Sequence, residues 1–205
     1  MTETELLQVI EQAAIEGVTK LDLSGNNLTA LPPEIGKLTQ LKKLILGKYR
    51  YDADGDIVGT IGNRLSYLPV EIGLLNQLEE LQVVDNCLTS LPRKFVQLVN
   101  LQTLNLGDNQ LSSLPRKFGQ LVNLQSLNLS SNQLSSLPGE IVQLVNLQTL
   151  NLYSNQLSSL PGEIVQLVNL QTLNLGDNRL SSLPRKFGQL VNLQTLDLGI
   201  NQLSS

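Results

Sequence analysis

The stretch "LQTLNLGDNQLSSLPRKFGQLVN", Leu101 to Asn123, is followed at Leu124 by "LQSLNLSSNQL", and the same frame opens again at Leu147, Leu170 and Leu193. The spacing is 23 residues each time. Read backwards, the frame reaches Leu78 ("LEELQVVDNCL"), Leu41 ("LKKLILGK") and Val18 ("VTKLDLSGNNL"), which makes eight copies. A fixed period of about 20 to 50 residues marks a repeat architecture, in which each unit buries its apolar face only against its neighbours. The step from Leu41 to Leu78 is 37 residues, so one copy carries an insertion of 14, at about 48–61.

Within a unit the first, fourth and sixth residues are apolar, as in "LQTLNL", which suits a short strand facing a shared interior. The ninth residue is asparagine throughout: Asn26, Asn63, Asn86, Asn109, Asn132, Asn155, Asn178 and Asn201. An amide buried without partners costs about 1–3 kcal/mol, so these side chains are expected to form a ladder bonded to the backbone of adjacent coils. This L-x-x-L-x-L-x-x-N-x-L pattern resembles the leucine-rich repeat family over residues 18–205. The returning half of each unit carries Pro92, Pro115, Pro138, Pro161 or Pro184, which lack an N–H and favour extended chain or short 3₁₀ turns over long helices. The expected fold is an α/β leucine-rich repeat solenoid, a horseshoe with a concave parallel sheet and an irregular or 3₁₀ convex side.

Residues 1–17 read as one helix that caps the first coil. Thr2 and Glu5 have capping-box spacing, Gly17 is placed to stop the helix, and Leu6, Ile10, Ala13 and Ala14 share a face. The insertion "KYRYDADGDIVGTI" contains Asp54-Gly55, a two-residue hairpin signal that would pair Tyr51 with Val58 and Tyr49 with Thr60. Its acids fall short of a calcium loop: counted from Asp52, the sixth residue is Ile57 where glycine is required and the twelfth is Asn63 where glutamate is required. They read as turn chemistry.

The chain contains no histidine, which removes histidine triads, histidine general bases and histidine metal ligands. Near-identical repeats put the same groups everywhere, whereas catalysis needs unlike groups to converge. No catalytic, metal or cofactor residue is therefore assigned. Net charge is −4, which disfavours nucleic acid, although "PRKF" places basic pairs at Arg93/Lys94, Arg116/Lys117 and Arg185/Lys186. Glu140 and Glu163 interrupt that series. One cysteine, Cys87, gives no intrachain disulfide, and neither a leader-like apolar segment nor a membrane-length run is present; the chain is expected to be cytoplasmic and not membrane-inserted.

Outward positions of the strands form a monotonous Thr/Asn surface in the later repeats and an irregular one earlier. Lys43, Ile45, Glu80, Gln82 and Val84 cluster beside the insertion; with Tyr49, Tyr51 and the lone later aromatic Tyr153 they are the candidate protein-binding residues.

"ELLQVIEQAAIEGVTKLDLSGNNLTALPPEIGKLTQLKKLILGK", with the insertion after it, resembles the repeat segment of bacterial Roco proteins, in which repeats precede a Ras-like GTPase domain and a dimerising domain. The resemblance implies a non-catalytic protein-interaction module attached to a GTPase; the alternative is a free-standing binding or scaffold protein. No phosphate loop lies in these residues, since "EIGKLT" follows Leu31 where the first glycine belongs. The chain stops part-way through a repeat, so a longer parent is expected, as is self-association through the uncapped last coil.

Overall fold

The computed structural model describes residues 1–204. Helix α1 (Glu3–Glu16) opens the chain. Thr2 Oγ1 accepts from the Glu5 N–H while the Glu5 carboxylate accepts from the Thr2 N–H, and Gly17, at φ 61, donates to the last carbonyls. Its buried residues Leu6, Ile10 and Ala13 cover the open side of the first coil.

Eight short parallel strands follow, one per unit: β1 (Lys20–Asp22), β2 (Lys43–Tyr51), β4 (Glu80–Val83), β5 (Thr103–Asn105), β6 (Ser126–Asn128), β7 (Thr149–Asn151), β8 (Thr172–Asn174) and β9 (Thr195–Asp197). β3 (Ile57–Ile61) belongs to the insertion and pairs antiparallel with the extended end of β2. The parallel strands stack in sequence order with equivalent residues in register, Leu81 beside Leu104 beside Leu127. Among the described residues the returning chain forms seven 3₁₀ turns, such as Arg93–Gln97 and Arg116–Gln120; six are entered from a proline and the last, Phe187–Gln189, from Lys186. Between sheet and turns lies one continuous core in which Leu104, Leu127 and Phe118 are wholly buried.

Two sets of asparagines tie the coils together. In the inner ladder, Asn109 Nδ2 donates to the carbonyls of Val83, Leu106 and Gly107, and its Oδ1 accepts from the Leu88 N–H at 3.0 Å. Asn132, Asn155 and Asn178 repeat that geometry on successive coils. Asn63 and Asn86 do the same across the insertion. Asn26 and Asn201, at the ends, are only half buried. The outer ladder has no counterpart in the sequence reading. Asn100, Asn123, Asn146, Asn169 and Asn192 are exposed, yet each donates to a carbonyl of the preceding coil, Asn123 to Val99 at 2.8 Å for example.

The insertion is a hairpin whose turn differs from the expected two-residue type. Asp52 Oδ1 accepts from the Asp54 and Asp56 N–H groups, the Asp52 carbonyl accepts from Gly55, and Gly55 takes φ 88. The loop is thus one residue longer, closed by Asp52 and Asp56, because the Asp52 carboxylate organises it. Tyr49 pairs with Thr60, but a bulge then brings Tyr51 opposite Ile57 instead of Val58.

Candidate interaction surface

On the concave face, Lys43 and Glu80 lie side by side in register and form an ion pair at 2.7 Å. Gln82 donates to the other oxygen of Glu80. These three candidates therefore form one connected polar group. Both charges are partly exposed, so the pair contributes little stability and is open to exchange with a partner. Next to it Lys48 is ion-paired with Asp22. Burial raises the Asp22 carboxyl, but the Lys48 ammonium and two bonds from Ser24 outweigh it and leave it below the usual carboxylate range.

Ile45 and Val84, expected to be exposed, are buried. Their exposures are 5% and 0%, although both lie outside the main core. Tyr49 leaves the second coil and brings its hydroxyl within 3.4 Å of Ser130 Oγ, in the fifth. The hydroxyl thus reaches past the third coil, which carries Val84, to the fourth and fifth. The reach depends on Gly107, where any Cβ would fall 2.2 Å from the Tyr49 oxygen. Burial raises the Tyr49 pKa to about 12, reinforced by the nearby Asp108 carboxylate. Thr60, on the same face of the hairpin, donates to Asp85 at 2.6 Å. The hairpin does not stand free at the rim; it leans along it toward the later repeats.

Docking of Tyr49 leaves the tip exposed. Tyr51 is 60% exposed, Ile57 58% and Val58 52%, and the Tyr51 ring meets Tyr49 edge-on with centroids 6.5 Å apart. Tyr153 stands apart from this group; it is 40% exposed and leans over Gly176, one coil on. The Thr/Asn surface is also partly structural. Asn105, Asn128, Asn151 and Asn174 each accept from the N–H two residues on, closing the strand ends. Gly107 and Ser130 were missed because nothing local marks them; the one available signal was a small residue where Val84 and Tyr153 stand in other copies. Among the described residues, no group of three or more acidic, cysteine or histidine side chains is placed to hold a metal, and no helix is long and apolar enough to cross a membrane.

Leucine-rich repeat profiles match residues 17–38 and 76–134, and a leucine-rich repeat region profile matches 116–205. The chain belongs to the leucine-rich repeat family. Among solved structures, a leucine-rich repeat protein of Leptospira interrogans is 32% identical with a TM-score of 0.61, covering 95% of this chain and 58% of that one. The plant peptide hormone receptor RGFR1, solved in complex with RGF2, is 37% identical with a TM-score of 0.73, over 85% of this chain and 27% of the receptor. An internalin of Listeria monocytogenes shares the fold at 22% identity and a TM-score of 0.72, over 96% of this chain and 59% of that one. The leucine-rich repeat chain thus spans between about a quarter and three fifths of these structures. No curated protein matches it.

Proposed function

We propose that this leucine-rich repeat chain is a non-catalytic protein-interaction module, and that it takes its partner on the concave face of its N-terminal half, against the hairpin. The observation that carries this reading is the exposed Tyr51–Ile57–Val58 tip, held in place by the half-buried Tyr49 at its root beside the Lys43–Glu80–Gln82 group. Interfaces combine a rigid aromatic anchor with a polar rim, and the tip and the polar group supply one each. The relative solved with a peptide hormone supports a polypeptide as ligand. To test the reading, peptides are selected from a display library on the intact chain and their affinities measured against variants. Tyr51→Ala should weaken them by roughly tenfold or more while the chain stays folded. Thr172→Ala, far along the sheet, should not. The reverse order would move the site to the later repeats.

The resemblance of the cap, first repeats and insertion to Roco proteins supports a parent chain in which this binding is reported to a GTPase domain. A G-x-x-x-x-G-K-[ST] segment encoded downstream of Ser205 is the expected finding; a gene without one favours the free-standing scaffold. The single cysteine supports a cytoplasmic setting. Detection of the protein in the secreted fraction would overturn that placement.

A further inference from the structure

The convex face holds a second feature, produced by one residue. After the inward-packed Phe or Ile of each 3₁₀ turn comes either glycine or valine. Where it is glycine, the next turn closes on it: a Cβ at Gly73 would lie 2.4 Å from the Lys94 carbonyl oxygen, and one at Gly119 would lie 2.1 Å from that of Glu140. Turn Arg93–Gln97 has Val96 instead, 7% exposed, and its side chain occupies the space that closure would need. The turn Arg116–Gln120 consequently stands off, leaving a cleft of about 710 Å³ floored by Val96, Leu91 and Leu114.

The lips of that cleft are Arg93, Lys94, Arg116 and Lys117, all exposed. Among the described residues the ion pairs are Lys42–Glu79, Lys43–Glu80 and Lys48–Asp22, so these four cations have no acidic partner. An otherwise acidic chain thus gathers four unpaired positive charges around an apolar floor. The neighbouring turns carry Glu71 on one side and Glu140 on the other. Those acids bound the positive field to the width of two coils. A nucleic acid or an anionic membrane, whose phosphates continue past two coils, would meet repulsion at both edges. A small inorganic anion would leave the apolar floor unused.

We propose that the Val96 cleft is a binding site for a short acidic polypeptide segment of a partner, carboxylates on the basic lips and one apolar side chain on the floor. It is independent of the concave surface. The probe is a synthetic fluorescent peptide with two glutamates on each side of a leucine, titrated by anisotropy. Wild type should bind it, more weakly as salt rises. Val96→Gly keeps every charge but allows the turns to close, and should weaken binding roughly tenfold. The double variant Arg116→Glu, Lys117→Glu alters only exposed side chains, so folding is retained, and it should abolish binding. Tyr51→Ala should leave binding unchanged. The proposal is overturned if the wild type does not bind the peptide at low salt, if Val96→Gly binds as well as wild type, if the charge reversal has no effect, or if an oligothymidylate of equal charge competes equally.

Discussion

Tyr49 and Gly107 depend on each other, and their dependence can be measured. A Cβ at Gly107 would overlap the Tyr49 oxygen, so Gly107→Ala is expected to expel the ring and break its contact with Ser130. A loss of about 1–3 kcal/mol in chemical denaturation is predicted, with little further loss when Tyr49→Phe is added to Gly107→Ala. The tyrosine also predicts a pH response. Its folded pKa is about 12 because burial penalises the phenolate, whereas in the unfolded chain it titrates near 10. Its contribution is fully present below about pH 10 and lost as pH rises toward 12, since only the unfolded state gains by ionising in that window. Subtracting the pH dependence of Tyr49→Phe from that of wild type isolates this effect; a flat difference would mean that the ring is solvated.

The hairpin shows where sequence reading holds and where it stops. Repeat spacing located the insertion, and the Asp54-Gly55 turn signal located its two strands, because both are written directly in the residue order. The turn escaped because Asp52 accepts two backbone N–H groups, a choice made by one side chain among three similar acids. The docking escaped because Tyr49 meets residues of the fourth and fifth coils, a long-range contact that no local pattern encodes. Ile45 and Val84 read as exposed contact positions and are buried. Deleting Lys48–Ile61 should restore the bare 23-residue unit and leave the chain folded, because neighbouring coils keep their own ladders. The deletion removes the Tyr49–Ser130 and Thr60–Asp85 hydrogen bonds, so a cost of about 2 kcal/mol is predicted, together with loss of the peptides selected on wild type. Complete unfolding, seen by circular dichroism, would instead make the hairpin an obligatory part of the solenoid.

At the scale of the whole molecule, stability is close to a sum of coil and nearest-neighbour terms, so the effect of a substitution depends on how many neighbours its coil has. This is also why the architecture was legible: a translational repeat needs only one unit to be understood, and the eight copies fix the rest. Leu129 is wholly buried with complete coils on both sides, whereas Leu198 is only partly buried and its strand β9 pairs only with β8 among the described residues. Leu129→Asp buries an unpaired carboxylate and is predicted to cost more than about 4 kcal/mol; Leu198→Asp, able to reach water, is predicted to cost about 1 kcal/mol or less. Among the described residues Leu196, Ile200 and Leu203 are exposed at the outer edge of β9, where no further strand pairs, a combination that invites pairing with another copy. The 205-residue chain is therefore predicted to self-associate as concentration rises, and Leu198→Asp to reduce that association even while costing little stability. Denaturation of the two variants, with light scattering of each across concentration, tests both halves. Equal destabilisation with a strictly monomeric wild type would mean that the last coil is closed by contacts of its own.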